Sequence, residues 1–263
     1  MADTRFPDPK APIHQLEIKQ TFDRLSERDK NYAHHLSRAC WHGTRISLRQ
    51  TSPEAEGIFN LILSLHATCG GRWDELASSC GIPRDQMDAF LAYAALFLCN
   101  LGNYYVRDIL LVMFENISES MQADGGQKFI PRVSLENLVK LARVALPQGS
   151  DFESHFGSML KSMTDEHPSG LGYPSDNGTS NYYLGERISR EEIASVTKVA
   201  GAHGIEPENT RIRKIEGNGQ KIYEVLQASI EMRNEHIPSE IPNAQIRVVS
   251  GDHSSELTKI CYQ

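Results

Sequence analysis

The chain has 263 residues, 40% hydrophobic and 23% charged, which is long and apolar enough for a buried core and excludes a disordered polymer. A formal net charge of -7 and a pI near 5.8 exclude the basic footprint of a nucleic-acid or anionic-membrane binder. The opening MADTRFPDPKAP has proline and charge where a signal peptide needs an apolar core, and no apolar run approaches the ~18 residues of a membrane span. In chain order, Ser26 caps a first helix whose apolar positions Tyr32, Leu36, Ala39, Cys40 and Gly43 share one narrow face, which the spacing predicts to be buried. Ser52 caps the next helix, with Pro53 at its first position. Ile58, Phe59, Ile62, Leu63 and Leu65 form its apolar flank, and Gly70-Gly71 ends it. A third helix from near Pro83 runs through Met87, Phe90, Leu91, Ala94, Ala95 and Leu98; apolar on most sides, it is expected to be central.

Ser134 with Asn137 opens a helix through Leu135, Leu138, Leu141, Ala142 and Ala145, which Pro147-Gln148-Gly149 ends. Residues 152–163 form a further helix, and residues 167–185, rich in Gly, Ser, Asn and Pro, read as a long loop. Ser189-x-x-Glu192 is a capping box at the head of a helix through Ile193, Val196, Val199 and Ala200, with Gly204 closing it. Residues 210–215 and 221–225 flank Glu216-Gly217-Asn218-Gly219 as a tight hairpin, and residues 245–249 make a third strand. A final helix begins near Ser254. The fold class is therefore α+β: a helical part over 1–150, then a loop, helix and hairpin part over 151–263 with a small mixed or antiparallel sheet. Three strands with an open edge are incomplete, and neither end of the chain reads as that of a finished domain.

Five cysteines, Cys40, Cys69, Cys80, Cys99 and Cys261, are an odd number at irregular spacing without a CxxC pair, the pattern of reduced thiols in a cytoplasmic protein. The sequons at Asn116 and Asn177 would then stay unmodified. His34, His35, Cys40 and His42 form the densest set of potential metal ligands. They lack i, i+4 ligand spacing, and a packed or solvated helix face accounts for them better. Cys40 beside Trp41 and His42 resembles a nucleophile and base, but adjacent helical residues diverge, and Cys40 belongs to the apolar face. Asp165-Glu166-His167 reads as a helix end before an acid/base pair. Gly217-Asn218-Gly219 and residues 170–172 are turns, not phosphate loops, because no Gly-Lys-Ser/Thr follows.

Five blocks carry more identity than any of these. They are NYAHHLSRACWHGTRISLRQTSP at 31–53, FLAYAALFLCNLGNYY at 90–105, QKFIPRV at 127–133, KIYEVLQAS at 221–229 and VVSGDHSSELTKI at 248–260. In order and spacing they resemble the N-terminal third or so of the dipeptidyl peptidase III family of zinc exopeptidases. The resemblance implies a two-lobed enzyme with a wide cleft that removes dipeptides from the free N-terminus of short peptides. Zinc would be held in an upper lobe by HExxxH and a downstream glutamate, the glutamate of HExxxH activating the metal-bound water. Neither motif occurs in this sequence. The resemblance places the chain in the lower lobe, built in that family from helices around a small β-barrel that would here be incomplete. No catalytic or metal residue is assigned, and zinc belongs to the full-length family rather than to this chain. Asn103 and Tyr104 are the substrate-cleft candidates by resemblance; the plainer alternative is that they cap and terminate the third helix.

One segment departs from the family pattern. Removing residues 106–122 would restore GNYYADGGQKF at the family's spacing. Val106-Arg107 and Gln122 can be encoded by the ends of a short fungal-type intron, so the segment reads as a retained intron, with a genuine loop insertion as the alternative. Its apolar run at 109–114 is an aggregation hazard if exposed. Asp124 stands where the family has an aromatic, which removes one expected cleft contact.

Two functions from different classes follow. One is the lower lobe of a zinc dipeptidyl peptidase, inactive by itself and poorly soluble without its later strands. The other is a noncatalytic peptide-binding or regulatory protein that offers its open sheet edge to an extended peptide.

Overall fold

The computed structural model describes residues 5–8, 11, 17–105, 126–167, 170–176, 178–179, 182–185, 187–206, 210–217, 219–229, 232–239 and 241–251. Residues 106–122, Asp124, Cys261, the two sequon asparagines and the helix expected near Ser254 lie outside this set. The chain divides into two compact units. Unit 1 comprises Met1–Pro12, Thr51–Gly172 and Asn177–Thr179; unit 2 comprises Ile13–Gln50, Tyr173–Asp176 and Ser180–Gln263.

Unit 1 is helical. It holds α3 (Ala55–Cys69), α4 (Trp73–Cys80), α5 (Arg84–Asn100), α6 (Leu135–Ala145) and α7 (Ser158–Thr164), the last entered through a π-helical turn at Glu153–Gly157. α3 packs against α4, α6 and α7, and α4 packs against α5. Ile58, Leu61 and Leu65 of α3, Met87, Phe90 and Phe97 of α5, and Leu138 and Leu141 of α6 are fully buried. Their spacing of three, four and seven residues is the reason each helix has one inward face. Ser134 accepts from the Asn137 N–H as the α6 cap, and Gly70 and Gly71 end α3 at positive φ. Two details differ from the sequence reading. Glu54, not Ser52, occupies the α3 N-cap position, while the Ser52 hydroxyl is buried without a partner among the described residues. α5, expected to be central because it is apolar on most sides, is not buried all round, since Ala95 and Leu98 are exposed.

Unit 2 begins with α1 (Lys19–Asp23) and most of α2 (Glu27–Thr51). Ser26 caps α2 by accepting the Asp29 N–H at 3.2 Å. The stripe expected to be buried is exposed in its first half: Tyr32 is 68% and Leu36 48% accessible, and Cys40 is exposed. The phase of the stripe is right, but burial on that face starts only at Thr44 and Leu48, four and eight residues past Cys40. Helical periodicity reports which residues share a face; it does not report how far along the helix a neighbour reaches.

The sheet of unit 2 has five strands in the order β1-β2-β3-β5-β4: β1 (Tyr183–Gly185), β2 (Thr210–Gly217), β3 (Gln220–Ala228), β4 (Arg233–Ile237) and β5 (Ala244–Gly251). β2 and β3 form the expected hairpin, with Gly217 opposite Gln220 and Gly219 at φ 75. β5 runs parallel to β3, and among the described strands β4 pairs antiparallel with β5 alone. The result is an open mixed sheet, not a closed barrel. α8 (Arg190–Ala202) covers one face, packing Ile193, Val196 and Val199 against Ile212, Tyr223, Val225, Ile246 and Val248. The Ser189–Glu192 capping box is formed on both sides. Glu192 also accepts from Lys221 Nζ at 2.8 Å, Tyr223 OH at 2.7 Å and Lys214 Nζ at 3.1 Å, so the helix start is tied to two strands.

Candidate functional site

Asn103 and Tyr104 follow directly on α5. That helix is closed by Leu101 in the left-handed region at φ 51 and by Gly102, whose N–H donates to the Phe97 carbonyl at 3.2 Å. A Cβ added at Gly102 would meet Thr51 Cγ2 at 2.8 Å, so only glycine lets the turn pass that close. The chain then extends and pairs with a second segment. Tyr104 lies opposite Lys128 in an antiparallel bridge, Tyr105 N–H donates to the Gln127 carbonyl at 2.9 Å, and Phe129 N–H donates to the Asn103 carbonyl at 2.9 Å. Leu101 and Gly102 thus cap the helix, and the paired segments position Asn103 and Tyr104.

Asn103 is 0% and Tyr104 1% accessible, and both side chains reach Glu54. Asn103 Nδ2 donates to Glu54 Oε1 at 3.0 Å and Tyr104 OH to the same oxygen at 3.5 Å. Lys128 Nζ stands 3.5 Å from that oxygen, donates to the Ser162 carbonyl at 2.7 Å and lies 5.8 Å from the Tyr104 ring centroid. Carboxylate and ammonium are both buried and balance each other. Burial raises the Tyr104 phenol pKa, and the charge and hydrogen bond of Glu54 raise it further. Tyr93, buried beside them, is raised well above its usual value by burial, then by Glu54 and Tyr104. Both phenols stay protonated at neutral pH and are not bases; Tyr104 donates to Glu54, while the Tyr93 hydroxyl has no partner among the described residues.

Such a cluster fixes backbone: a sealed, charge-balanced carboxylate joins the start of α3 to the segments at 103–105 and 127–129. Sequence reasoning assigned no role to Glu54 or Lys128, although both stand within or beside quoted blocks, in Thr-Ser-Pro-Glu and Gln-Lys-Phe. No local signal marked them, since Glu54 and Lys128 lie far from Asn103 and Tyr104 along the chain. The remaining candidates stay apart. His34 and His35 stack edge to face at 5.2 Å. Asp165 caps its own turn by accepting the His167 N–H at 2.9 Å, and Glu166 pairs with Arg5. Among the described residues no group of three or more His, Cys, Asp or Glu side chains converges as a metal site, and the sequence contains no His-Glu pair. The described residues therefore do not assemble a catalytic zinc site.

The chain is similar to known proteins over its length. A family model described as Peptidase family M49 matches residues 154–263. Proteins named dipeptidyl peptidase 3 align with nearly the whole chain: that of Dictyostelium discoideum is 30% identical over 250 residues, covering 95% of this chain and 33% of the relative. The Rattus norvegicus protein is 28% identical over 279 residues, with 99% and 35% covered. The Homo sapiens protein is 27% identical over 282 residues, with 100% and 35% covered. The chain is thus similar along its length to peptidases, and it spans about a third of the length of the curated relatives it matches.

Proposed function

We propose that the chain is the non-catalytic portion of a zinc dipeptidyl peptidase, corresponding to the N-terminal lower lobe, which forms one wall of a cleft that holds short peptides for release of N-terminal dipeptides in the cytoplasm. The observation that carries this reading is the alignment over 95% of the chain with dipeptidyl peptidase 3 together with a sequence that has no His-Glu pair. Asn103 and Tyr104 would border the cleft indirectly, through the backbone path that Glu54 and Lys128 hold. By itself the chain is expected to be inactive, because its sequence contains no HExxxH motif. The test is release of arylamine from dipeptidyl-arylamides by the purified chain with added zinc. No turnover is expected; zinc-dependent turnover would overturn the reading.

The open sheet favours a second reading. Among the described strands β4 pairs only with β5, and four of its five residues are exposed, so its outer edge could accept an extended peptide without any chemistry. Monodisperse protein with peptide affinity and no zinc requirement would favour it over the first.

A further inference from the structure

The face of the sheet opposite α8 carries a charge pattern that neither reading uses. On β3, Tyr223 and Val225 point into the α8 core, so Glu224 between them faces the other way, with Ile222 and Leu226 two residues to either side. The register sets Arg213 of β2 beside Glu224 on one flank and Arg247 of β5 on the other, with His236 of β4 next in line. Glu224 is 0% accessible. Its Oε2 accepts from Arg213 Nε at 2.5 Å, and its Oε1 is ion-paired with Arg247 Nη2. One guanidinium suffices to neutralise one carboxylate, so the second leaves the row with an excess positive charge. Both arginine side chains remain open, at 45% for Arg213 and 34% for Arg247, and Arg247 Nε is buried without a partner among the described residues. In a chain of net charge -7 such an excess, held rigid by a buried carboxylate, is a feature a packed ion triad does not need.

We propose that the Arg213–Glu224–Arg247 row is a recognition site for a carboxylate carried by an acidic peptide segment, its side-chain oxygens lying across the two guanidinium forks and apolar neighbours resting on Ile222 and Leu226. Glu224 is the positioning residue: it pins both forks before the ligand arrives, which lowers the ordering cost of binding. The partner's chemistry follows from charge complementarity, two cations against one buried anion, and from the apolar positions on either side of the row along β3.

Carboxylate binding here is independent of hydrolysis, so it stands or falls separately from the peptidase role. The probe is a pair of C-terminally amidated peptides, Gly-Val-Thr-Glu-Thr-Val and its Gln counterpart, labelled with an uncharged fluorophore and followed by anisotropy on the intact chain. The Glu peptide is expected to bind at least about tenfold tighter at low salt, with the difference shrinking as NaCl is raised. Arg247→Gln and Arg213→Gln should each bring the ratio close to one, while Arg143→Gln, on α6 in unit 1, leaves it unchanged. Equal binding of the two peptides, no binding of either, or a ratio that survives both arginine changes would overturn the proposal. Displacement of the Glu peptide by millimolar inorganic phosphate would also overturn it, in favour of a site for a free oxyanion. Should either variant misfold by circular dichroism, the peptide pair on the unchanged protein still decides.

Discussion

At the residue scale, Glu54 controls the site built around Asn103 and Tyr104. Its carboxylate neutralises a lysine that is 3% accessible and accepts from two further donors, so its removal strands a buried ammonium and a buried amide together. Breaking a buried pair from one side costs about 3–5 kcal/mol, far more than losing one neutral hydrogen bond. Glu54→Ala is therefore expected to lower the urea unfolding free energy by about that amount, and Glu54→Gln, which keeps an acceptor for Asn103, by less. A loss below about 1 kcal/mol for Glu54→Ala would show that the pair contributes no more than an exposed one. Asn103 and Tyr104 were legible as candidates from their sequence block. Glu54 and Lys128 were not, because their partnership joins positions 74 residues apart along the chain, beyond the reach of any local pattern.

At the scale of elements, the capping box of α8 makes a pH prediction. Burial would raise the pKa of Glu192, but bonds from Lys221, the Ser189 N–H, Tyr223 and Lys214 outweigh it and hold the carboxylate at about 2. A folded pKa below the unfolded 4.5 contributes stability that is complete above pH 4.5 and is lost as pH falls toward 2. The contribution is on the order of 3 kcal/mol. Stability of the chain should fall across that window, and Glu192→Gln should flatten this part of the profile; an unchanged acid slope in the variant would remove Glu192 from the account. The paired segments at 103–105 and 127–129 make a second prediction. Because Tyr105 and Gln127 already bond to each other, the hairpin is closed without residues 106–122. Deleting them leaves Ala123-Asp124-Gly125, a short turn of suitable chemistry, before Gly126. The deletion variant is expected to keep the circular dichroism spectrum and cooperative unfolding of the full chain, with better solubility; loss of cooperative unfolding would mean that the segment belongs to the fold.

At the scale of the molecule, local chemistry made the caps at Ser26, Ser134 and Ser189, the β2–β3 hairpin and the inward face of α6 legible, because each is written within about ten neighbouring residues. On α3 the expected flank included Leu63, which is exposed, and missed the buried Leu61. α4, β1 and β4 were not legible. β4 has the pattern of four exposed residues before Ile237 and owes its existence to the Arg233–Ile237 pairing with β5, a tertiary contact rather than a propensity. The parallel pairing of β5 with β3 was equally invisible, since register across a crossover is set by which face is buried. What these contacts build is two separate interiors. Leu141 is fully buried among the helices of unit 1, and Ile246 is fully buried in the sheet core of unit 2. Truncating either to alanine leaves a cavity that costs about 2–5 kcal/mol. Where that cost appears depends on which core each residue serves, and amide hydrogen exchange resolves it segment by segment. Ile246→Ala is expected to speed exchange in β2, β3, β5 and α8, and Leu141→Ala in α3, α6 and α7. If Ile246→Ala instead loosened α3 and α6 while β3 kept its protection, Ile246 could not belong to a core built by the sheet and α8, and the division into two interiors would have to be redrawn.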